Sequence, residues 1–162
     1  MKNQTAPVLI VYFSRSGNTR AIANLIQQEV GGTLFELQPA TAYPPAYNTV
    51  VEQAKREIRA GFRPPLRSLP EALAAATIFV GTPNWWDTLA PPVATFLTAY
   101  DLAGKTIAPF CTHGGGGAGK IPQDLARLCP GATVLEHLAL YGSGGAGARA
   151  EVSAWLRGLR AP

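Results

Sequence analysis

The sequence predicts an α/β fold in which a parallel sheet is covered by helices on both faces. Strand-like apolar runs alternate with helical periodicities along the whole chain, and such alternation implies right-handed βαβ crossovers. The chain has 162 residues, of which 47% are hydrophobic and 15% are charged, so it can bury a sizeable core. We therefore expect one domain over residues 1–162, with a five-stranded sheet in a three-layer α/β/α arrangement.

The first half of the chain contains two predicted strands and two predicted helices. A nearly continuous apolar run predicts a strand at residues 8–13, and apolar residues at helical spacing predict a helix at 18–30. Residues 33–37 alternate in polarity as an edge strand does. A Pro- and Tyr-rich loop then leads to a helix at 48–60, and a Pro-rich connector leads to a short Ala-rich helix.

The second half repeats the pattern. Apolar runs predict strands at 77–83, 106–112 and 133–140, although Pro109 is awkward in a central strand because it cannot donate to the ladder. Helices are predicted in the segments between and after these strands, at 91–100, 122–128 and 148–159.

Composition excludes several classes of function. No apolar run approaches the roughly 20 residues that span a bilayer, and the N-terminus leaves no room for a secretory signal, so we expect a cytoplasmic protein. Two cysteines and two distant histidines make no metal site. The net charge of +4 comes from scattered basic residues without a nucleic-acid motif, so no nucleic-acid partner is expected.

A turn rich in hydroxyl groups and glycine follows the first strand. Its residues are Ser14, Arg15, Ser16, Gly17, Asn18 and Thr19. Hydroxyls, an amide and the free N–H groups of a helix N-terminus attract an anion, phosphate above all. Taken alone, the turn could equally be an ordinary strand-to-helix connection whose Ser and Asn side chains cap the helix.

Two further unusual loops follow predicted strands. Residues 82–88 contain the pair Trp85 and Trp86, and residues 112–120 are rich in glycine. Because ligands of parallel sheets bind at the carboxyl ends of the strands, we expect all three loops to converge on one edge. A Trp could stack on a planar ligand, or one Trp packs inward while the other is merely exposed. His113 could donate to a ligand, or make a simple hydrogen bond within its loop.

Two glycine motifs resemble nucleotide-binding signatures but lack required parts. Residues 114–120 have the Walker A spacing, yet Ile121 stands where a hydroxyl should bind Mg²⁺. Residues 142–147 match GxGxxG, but the chain ends before the acidic residue that a dinucleotide site needs about 20 positions later. We interpret both segments as glycine-rich turns.

Taken together, the three loops resemble those of the flavodoxin family. The matching segments are residues 12–19, residues 81–87 with their Trp pair, and residues 109–115 with the Thr-His-Gly-Gly sequence. The similarity covers essentially the whole chain and is strongest to the short, single-domain branch of the family. It implies a flavodoxin-like sheet with strand order 2-1-3-4-5 and one non-covalent FMN.

The resemblance also implies which residues contact FMN. The turn 14–19 would hold the phosphate, two later segments would flank the isoalloxazine ring, and Tyr43 or Tyr47 could cover the site. The two later segments contribute Thr82, Pro83, Asn84, Trp85, Trp86, Asp87 and Thr88, and then Thr112, His113, Gly114, Gly115, Gly116 and Gly119.

Three functions follow from this resemblance. The first is an electron carrier between partner proteins, including an NAD(P)H-linked reductase. The second is an FMN-dependent NAD(P)H oxidoreductase acting on quinones or similar acceptors, and the third is a non-redox binding module. The chain departs from the acidic character of the family by its charge of +4 and lacks a glycine in residues 84–87, and both departures argue against low-potential transfer to the usual partners.

Overall fold

A computed structural model describes residues 7–71 and 73–160. A central sheet is flanked by five α-helices in these residues. The strands are β1 (Val8–Tyr12), β2 (Thr33–Glu36), β3 (Thr77–Trp85), β4 (Thr88–Leu89), β5 (Thr106–His113), β6 (Thr133–Val134) and β7 (Leu138–Tyr141). The helices are α1 (Asn18–Val30), α2 (Tyr47–Ala60), α3 (Pro91–Thr98), α4 (Ile121–Leu128) and α5 (Ala148–Arg160).

The strand order confirms the predicted flavodoxin-like topology. β2, β1, β3 and β5 are parallel neighbours in that order, and β6 and β7 both pair with the far side of β5. Within the described part of the chain, the sheet has seven strands rather than the five predicted. Two departures account for the difference: the last predicted strand is split, and β4 is an added short strand.

The split of the last strand lies opposite Pro109. β6 pairs with Thr106 and Ile107, whereas β7 resumes pairing at Phe110. The Leu135 N–H donates to the Ile107 carbonyl, so the main-chain groups of Ile107 point toward the last strand. Pro109 is two residues further on, so its main-chain groups point to the same side. Proline has no N–H to donate to the last strand, so the hydrogen-bond ladder is interrupted at Pro109, the residue that the sequence pattern predicts to be unfavourable in a central strand.

β4 forms an antiparallel hairpin with the end of β3. Trp85 pairs with Thr88, and the two residues between them, Trp86 and Asp87, have φ angles of 54° and 71°. Two successive left-handed residues are the geometry of a type I′ turn, which glycine and asparagine normally supply. The hairpin of β3 and β4 thus carries the Trp pair, with Trp85 at the end of β3 and Trp86 in the turn.

The predicted Ala-rich helix before β3 is wrong. The described residues of this segment, 71 and 73–76, contain no helix. Carbonyls that a helix would use internally accept hydrogen bonds from side chains instead: Lys105 Nζ donates to Leu73 and Ala75, at 2.6 and 2.8 Å. So short a segment gains too little from helical hydrogen bonds to offset nucleation.

Hydrophobic clusters fill both faces of the sheet. On one face, α3 and α4 bury side chains such as Phe96 and Leu125. On the other face, α1 and α5 bury Ile22, Ile26 and Val152. The two clusters position the carboxyl ends of β1, β3 and β5 side by side, where the three unusual loops begin. No helix among the described residues is long and apolar enough to cross a membrane.

Candidate functional site

A cavity of about 600 Å³ opens at the carboxyl edge of the sheet, between the loops after β1, β3 and β5 and one face of α2. Its volume lies within the usual range for small-molecule sites. Eleven of the predicted site residues line it: Arg15, Ser16, Asn18, Thr19, Pro83, Asn84, Trp85, Trp86, Thr112, His113 and Gly114. The three loops therefore do converge as the sequence predicts.

One end of the cavity is formed by the start of α1. Gly17 has a φ of 97° and, as the N-cap residue, offers no side chain of its own to the first turn. Among the described residues, the N–H groups of Asn18 and Thr19 have no hydrogen-bond partner. Exposed Ser16 lies beside them. This end thus offers a hydroxyl, an amide and free N–H groups, the donor set that binds an anion at a helix N-terminus.

Ser14 and Thr19 have their hydroxyls engaged within the protein. Ser14 Oγ accepts hydrogen bonds from the N–H groups of Gly17 and Arg20, at 3.1 and 3.2 Å. Thr19 is buried, and its Oγ1 lies 2.8 Å from Thr112 Oγ1 at the end of β5. Ser14 holds the turn in shape, and the Thr19–Thr112 pair ties α1 to the third loop.

The Trp pair is divided between the interior and the surface. Trp85 makes edge contacts with Phe13 and Tyr43, at centroid distances of 5.3 and 5.0 Å. Trp86 is 48% exposed, and its Nε1–H donates to the Val51 carbonyl of α2 at 2.8 Å. Both indoles line the cavity, so this part of its lining is aromatic.

Tyr43 belongs to the support of the site, because it does not line the cavity. Its hydroxyl donates to Glu57 of α2 at 2.7 Å. Burial first, and then the hydrogen bond and negative charge of Glu57, raise the pKa of Tyr43 far above its ordinary value. The phenol therefore stays protonated, and its hydrogen bond links the aromatic contact of Trp85, Phe13 and Tyr43 to α2.

The third loop presents His113 in a defined tautomer. The Gly115 N–H donates to His113 Nδ1 at 3.0 Å, so the neutral ring carries its proton on Nε2. The ring also makes an edge contact with Tyr141 at 6.0 Å. His113 thus makes the hydrogen bond within its loop that was one of the two alternatives, and its remaining ring nitrogen is a donor.

Eight predicted residues lie outside the cavity lining: Ser14, Gly17, Thr82, Asp87, Thr88, Gly115, Gly116 and Gly119. Several of them join the loops. Thr82 Oγ1 accepts from the Ala90 N–H at 2.9 Å, and Thr88 Oγ1 donates to Asp124 at 2.6 Å. The Asp87 carbonyl accepts from the Lys120 N–H at 2.7 Å, and Gly119 is so close that a Cβ there would lie 2.1 Å from Asp87 Oδ1.

Sequence reasoning missed one wall of the cavity. The lining residues without a prediction are Val50, Val51, Ala54, Tyr141 and Gly142, and Tyr47 is the member of the Tyr43–Tyr47 alternative that reaches it. The α2 residues recur at helical spacing, which indicates a buried face without saying what it faces. Tyr141 ends β7, so the rule that ligands bind at carboxyl ends of strands would have found it.

The fold and the cavity together define a protein of the flavodoxin type. The pattern of the family described as flavodoxin matches residues 7–159, and the chain belongs to this family. The family match bears out FMN as the predicted cofactor. A comparison with curated proteins gives no match.

Solved structures show the same fold. A candidate flavoprotein from Bacteroides uniformis ATCC 8492 is 31% identical with a TM-score of 0.84, over 95% of this chain and 99% of the other. One from Bacteroides eggerthii DSM 20697 is 29% identical with a TM-score of 0.84, over 98% and 100% of the two chains. A flavoprotein from Lactobacillus acidophilus NCFM, solved in complex with FMN, is 22% identical with a TM-score of 0.74, over 94% and 99%.

Proposed function

We propose that the protein is an electron carrier that binds one FMN non-covalently in the cavity. The observation that carries the proposal is the polarity of the cavity. The start of α1 contributes free N–H groups and a hydroxyl to the lining, whereas the β3–β4 hairpin and α2 contribute two indoles and aliphatic side chains. A ligand with a phosphate tail and a flat apolar ring matches this division.

The α1 end would hold the phosphate. Ser16, Asn18 and the free N–H groups supply donors, and the helix dipole favours the negative charge. Arg15 adds a positive charge and is fixed by a 3.0 Å hydrogen bond from Nη2 to the Pro45 carbonyl. The same guanidinium therefore connects the phosphate turn with the loop that leads to α2.

The aromatic end would hold the ring. Trp85, Trp86 and Val50 provide apolar surface, and the main chain of 112–114 can approach the polar edge of the ring because Gly114 has no side chain. When bound, FMN accepts and donates electrons, whereas the protein sets how readily it does so and which molecules reach it.

The rim of the cavity supports exchange with a partner protein. Five large apolar side chains are exposed among the described residues, and Tyr47, Trp86 and Tyr141 from this set line the cavity. Tyr47 and Tyr141 are each 70% exposed. Aromatic residues are enriched at protein interfaces, so this rim suits a docking redox protein, such as an NAD(P)H-linked reductase.

Anaerobic titration of the apoprotein tests the proposal. We expect FMN to bind more tightly than riboflavin, and we expect NAD(P)H to reduce the complex only when a reductase is added. Rapid reduction by NAD(P)H alone, followed by transfer to a quinone, would favour the oxidoreductase alternative. Failure of FMN to bind would overturn the proposal and leave the non-redox module.

A charge introduced at the phosphate end gives a sharper test. Ser16→Asp places a carboxylate where the phosphate is proposed to bind, so FMN affinity should fall at least about tenfold through like-charge repulsion. Riboflavin lacks the phosphate, and its affinity should change little. Equal losses for both flavins would place the phosphate elsewhere.

A further inference from the structure

Trp86 bridges the cavity from the β3–β4 turn to α2. Its turn has the left-handed backbone described above, which costs energy in residues other than glycine. The indole N–H nevertheless donates to the Val51 carbonyl at 2.8 Å. The backbone of the turn and the hydrogen bond to α2 therefore both fix the position of the indole.

Lys55 holds the same indole from α2. Its Nζ lies 5.1 Å from the centroid of the Trp86 ring, within the range of a cation–π interaction. Lys55 follows Val51 by four residues, so the hydrogen-bond acceptor and the ammonium lie on one face of the helix. One helical turn thus contacts both the edge and the face of the indole.

Two observations separate Lys55 from an ordinary surface lysine. Among the residues that the structure describes, no carboxylate lies within 4.0 Å of its ammonium, although Glu52 is three residues earlier on the helix. Trp86 lines the cavity, whereas Lys55 does not. Lys55 therefore contacts a residue of the cavity wall without lining the cavity itself.

We propose that Lys55 is a positioning residue for the flavin that acts through Trp86. Its cation fixes the plane of the indole, which strengthens the aromatic wall of the cavity. Its positive charge, in contact with that wall, stabilises the reduced flavin ring, which is anionic, relative to the neutral oxidised ring. This inference rests on the proposed binding of FMN.

The test compares Lys55→Gln with Lys55→Arg and with a matched control, Arg56→Gln. Arg56 is an exposed neighbour on α2, so its variant removes the same charge without touching the indole. For Lys55→Gln we expect the Kd of oxidised FMN to rise about twofold to fivefold, as loss of a cation–π contact implies. The midpoint potential should fall, and Lys55→Arg should restore both values toward wild type.

A double-mutant cycle tests the path through Trp86. In a Trp86→Leu background, Lys55→Gln should add no further loss of FMN affinity, since the contact is already absent. Without flavin, Lys55→Gln should alter the tryptophan emission of the apoprotein, whereas Arg56→Gln should not.

The inference is overturned if Lys55→Gln matches Arg56→Gln in FMN affinity and potential while wild type binds FMN. It is also overturned if the effect of Lys55→Gln on the affinity for oxidised FMN persists in full without Trp86. Failure of wild type to bind FMN would instead refute the proposed function, and the apoprotein emission would report on the Lys55–Trp86 contact independently.

Discussion

Gly81 shows how one missing side chain sets the packing beneath the site. A Cβ built on Gly81 would lie 2.3 Å from Cζ of Phe110, whose ring is fully buried. The φ of Gly81 is not positive, so the requirement for glycine there is steric. We expect Gly81→Ala to lower the free energy of unfolding by about 1–3 kcal/mol, as overpacking of a core does. Urea denaturation of the apoprotein measures it.

Gly158 provides the control for this prediction. It lies in α5 with no atom near the position of an added Cβ, so Gly158→Ala should stabilise the helix by about 0.5–1 kcal/mol. Phe110→Leu should reduce the additional cost of Gly81→Ala. Similar changes in stability for both alanine variants would contradict the steric argument.

At the residue scale, the sequence predicts which kinds of side chain lie at the site better than it predicts the direction in which each side chain points. It places Trp85 and Trp86 at the site and leaves open whether a Trp stacks on a ligand or one Trp packs inward while the other is exposed. It does not say which one turns inward, because Phe13 and Tyr43 decide this from distant parts of the chain. The sequence likewise predicts Ser14 as a phosphate ligand, but it does not indicate that the Ser14 hydroxyl oxygen accepts hydrogen bonds from two main-chain N–H groups.

At the element scale, the two serines of the turn before α1 have different roles: Ser14 stabilises the turn, whereas Ser16 is exposed. Ser14→Ala removes the acceptor for two main-chain N–H groups, so we expect the apoprotein to lose about 0.5–2 kcal/mol of stability, as loss of a helix cap does. Ser16→Ala should leave this stability within about 0.5 kcal/mol, because an exposed serine is replaced. Chemical denaturation without flavin measures both.

Ser16→Ala should weaken the binding of FMN, although it should leave the stability of the apoprotein nearly unchanged. Removal of a donor to a charged phosphate should weaken binding by about 1.5–3 kcal/mol, with little change for riboflavin. Calorimetric titration of Ser16→Ala with both flavins measures this. If Ser14→Ala left the stability of the apoprotein unchanged and Ser16→Ala left the affinity for FMN unchanged, the roles assigned to the two serines would be wrong.

Elements with strong local signals were predicted closely, and elements decided by neighbours were not. α1 has the predicted bounds because periodicity and the glycines after Val30 agree. The Ala-rich segment fails as a helix because Lys105, more than 30 residues away in sequence from Leu73, takes its carbonyl. The last strand divides because of Pro109 on the neighbouring strand.

At the scale of the whole molecule, topology explains why the site could be found from the sequence. Parallel strands must end at one edge, so three loops far apart in sequence had to meet there. The wall formed by Val50 and Ala54 of α2 was missed because it depends on how a helix crosses that edge. Connectivity fixes the first feature, whereas tertiary packing fixes the second.

Two buried thiols couple the stability of the whole molecule to alkaline pH. Burial raises the pKa of Cys111 and of Cys129 to about 11, from an ordinary value of 9.0. Between these values the unfolded chain has released thiol protons that the folded chain retains, so the free energy of unfolding falls as pH rises. The contribution is fully present below about pH 9 and is lost as pH rises through about 11.

Urea denaturation under reducing conditions, from about pH 8 to about pH 11, measures this slope. The double variant Cys111→Ala and Cys129→Ala should be less stable at neutral pH, because it leaves small cavities in the core. Its stability should nevertheless decline less steeply across the interval, since fewer groups release protons on unfolding.

Tyr43→Phe is the control: burial raises the pKa of Tyr43 as well, but its unfolded value of 10.0 confines its effect to the upper part of the interval. An unchanged slope in the cysteine variant would mean that the buried thiols do not set the alkaline limit of the fold.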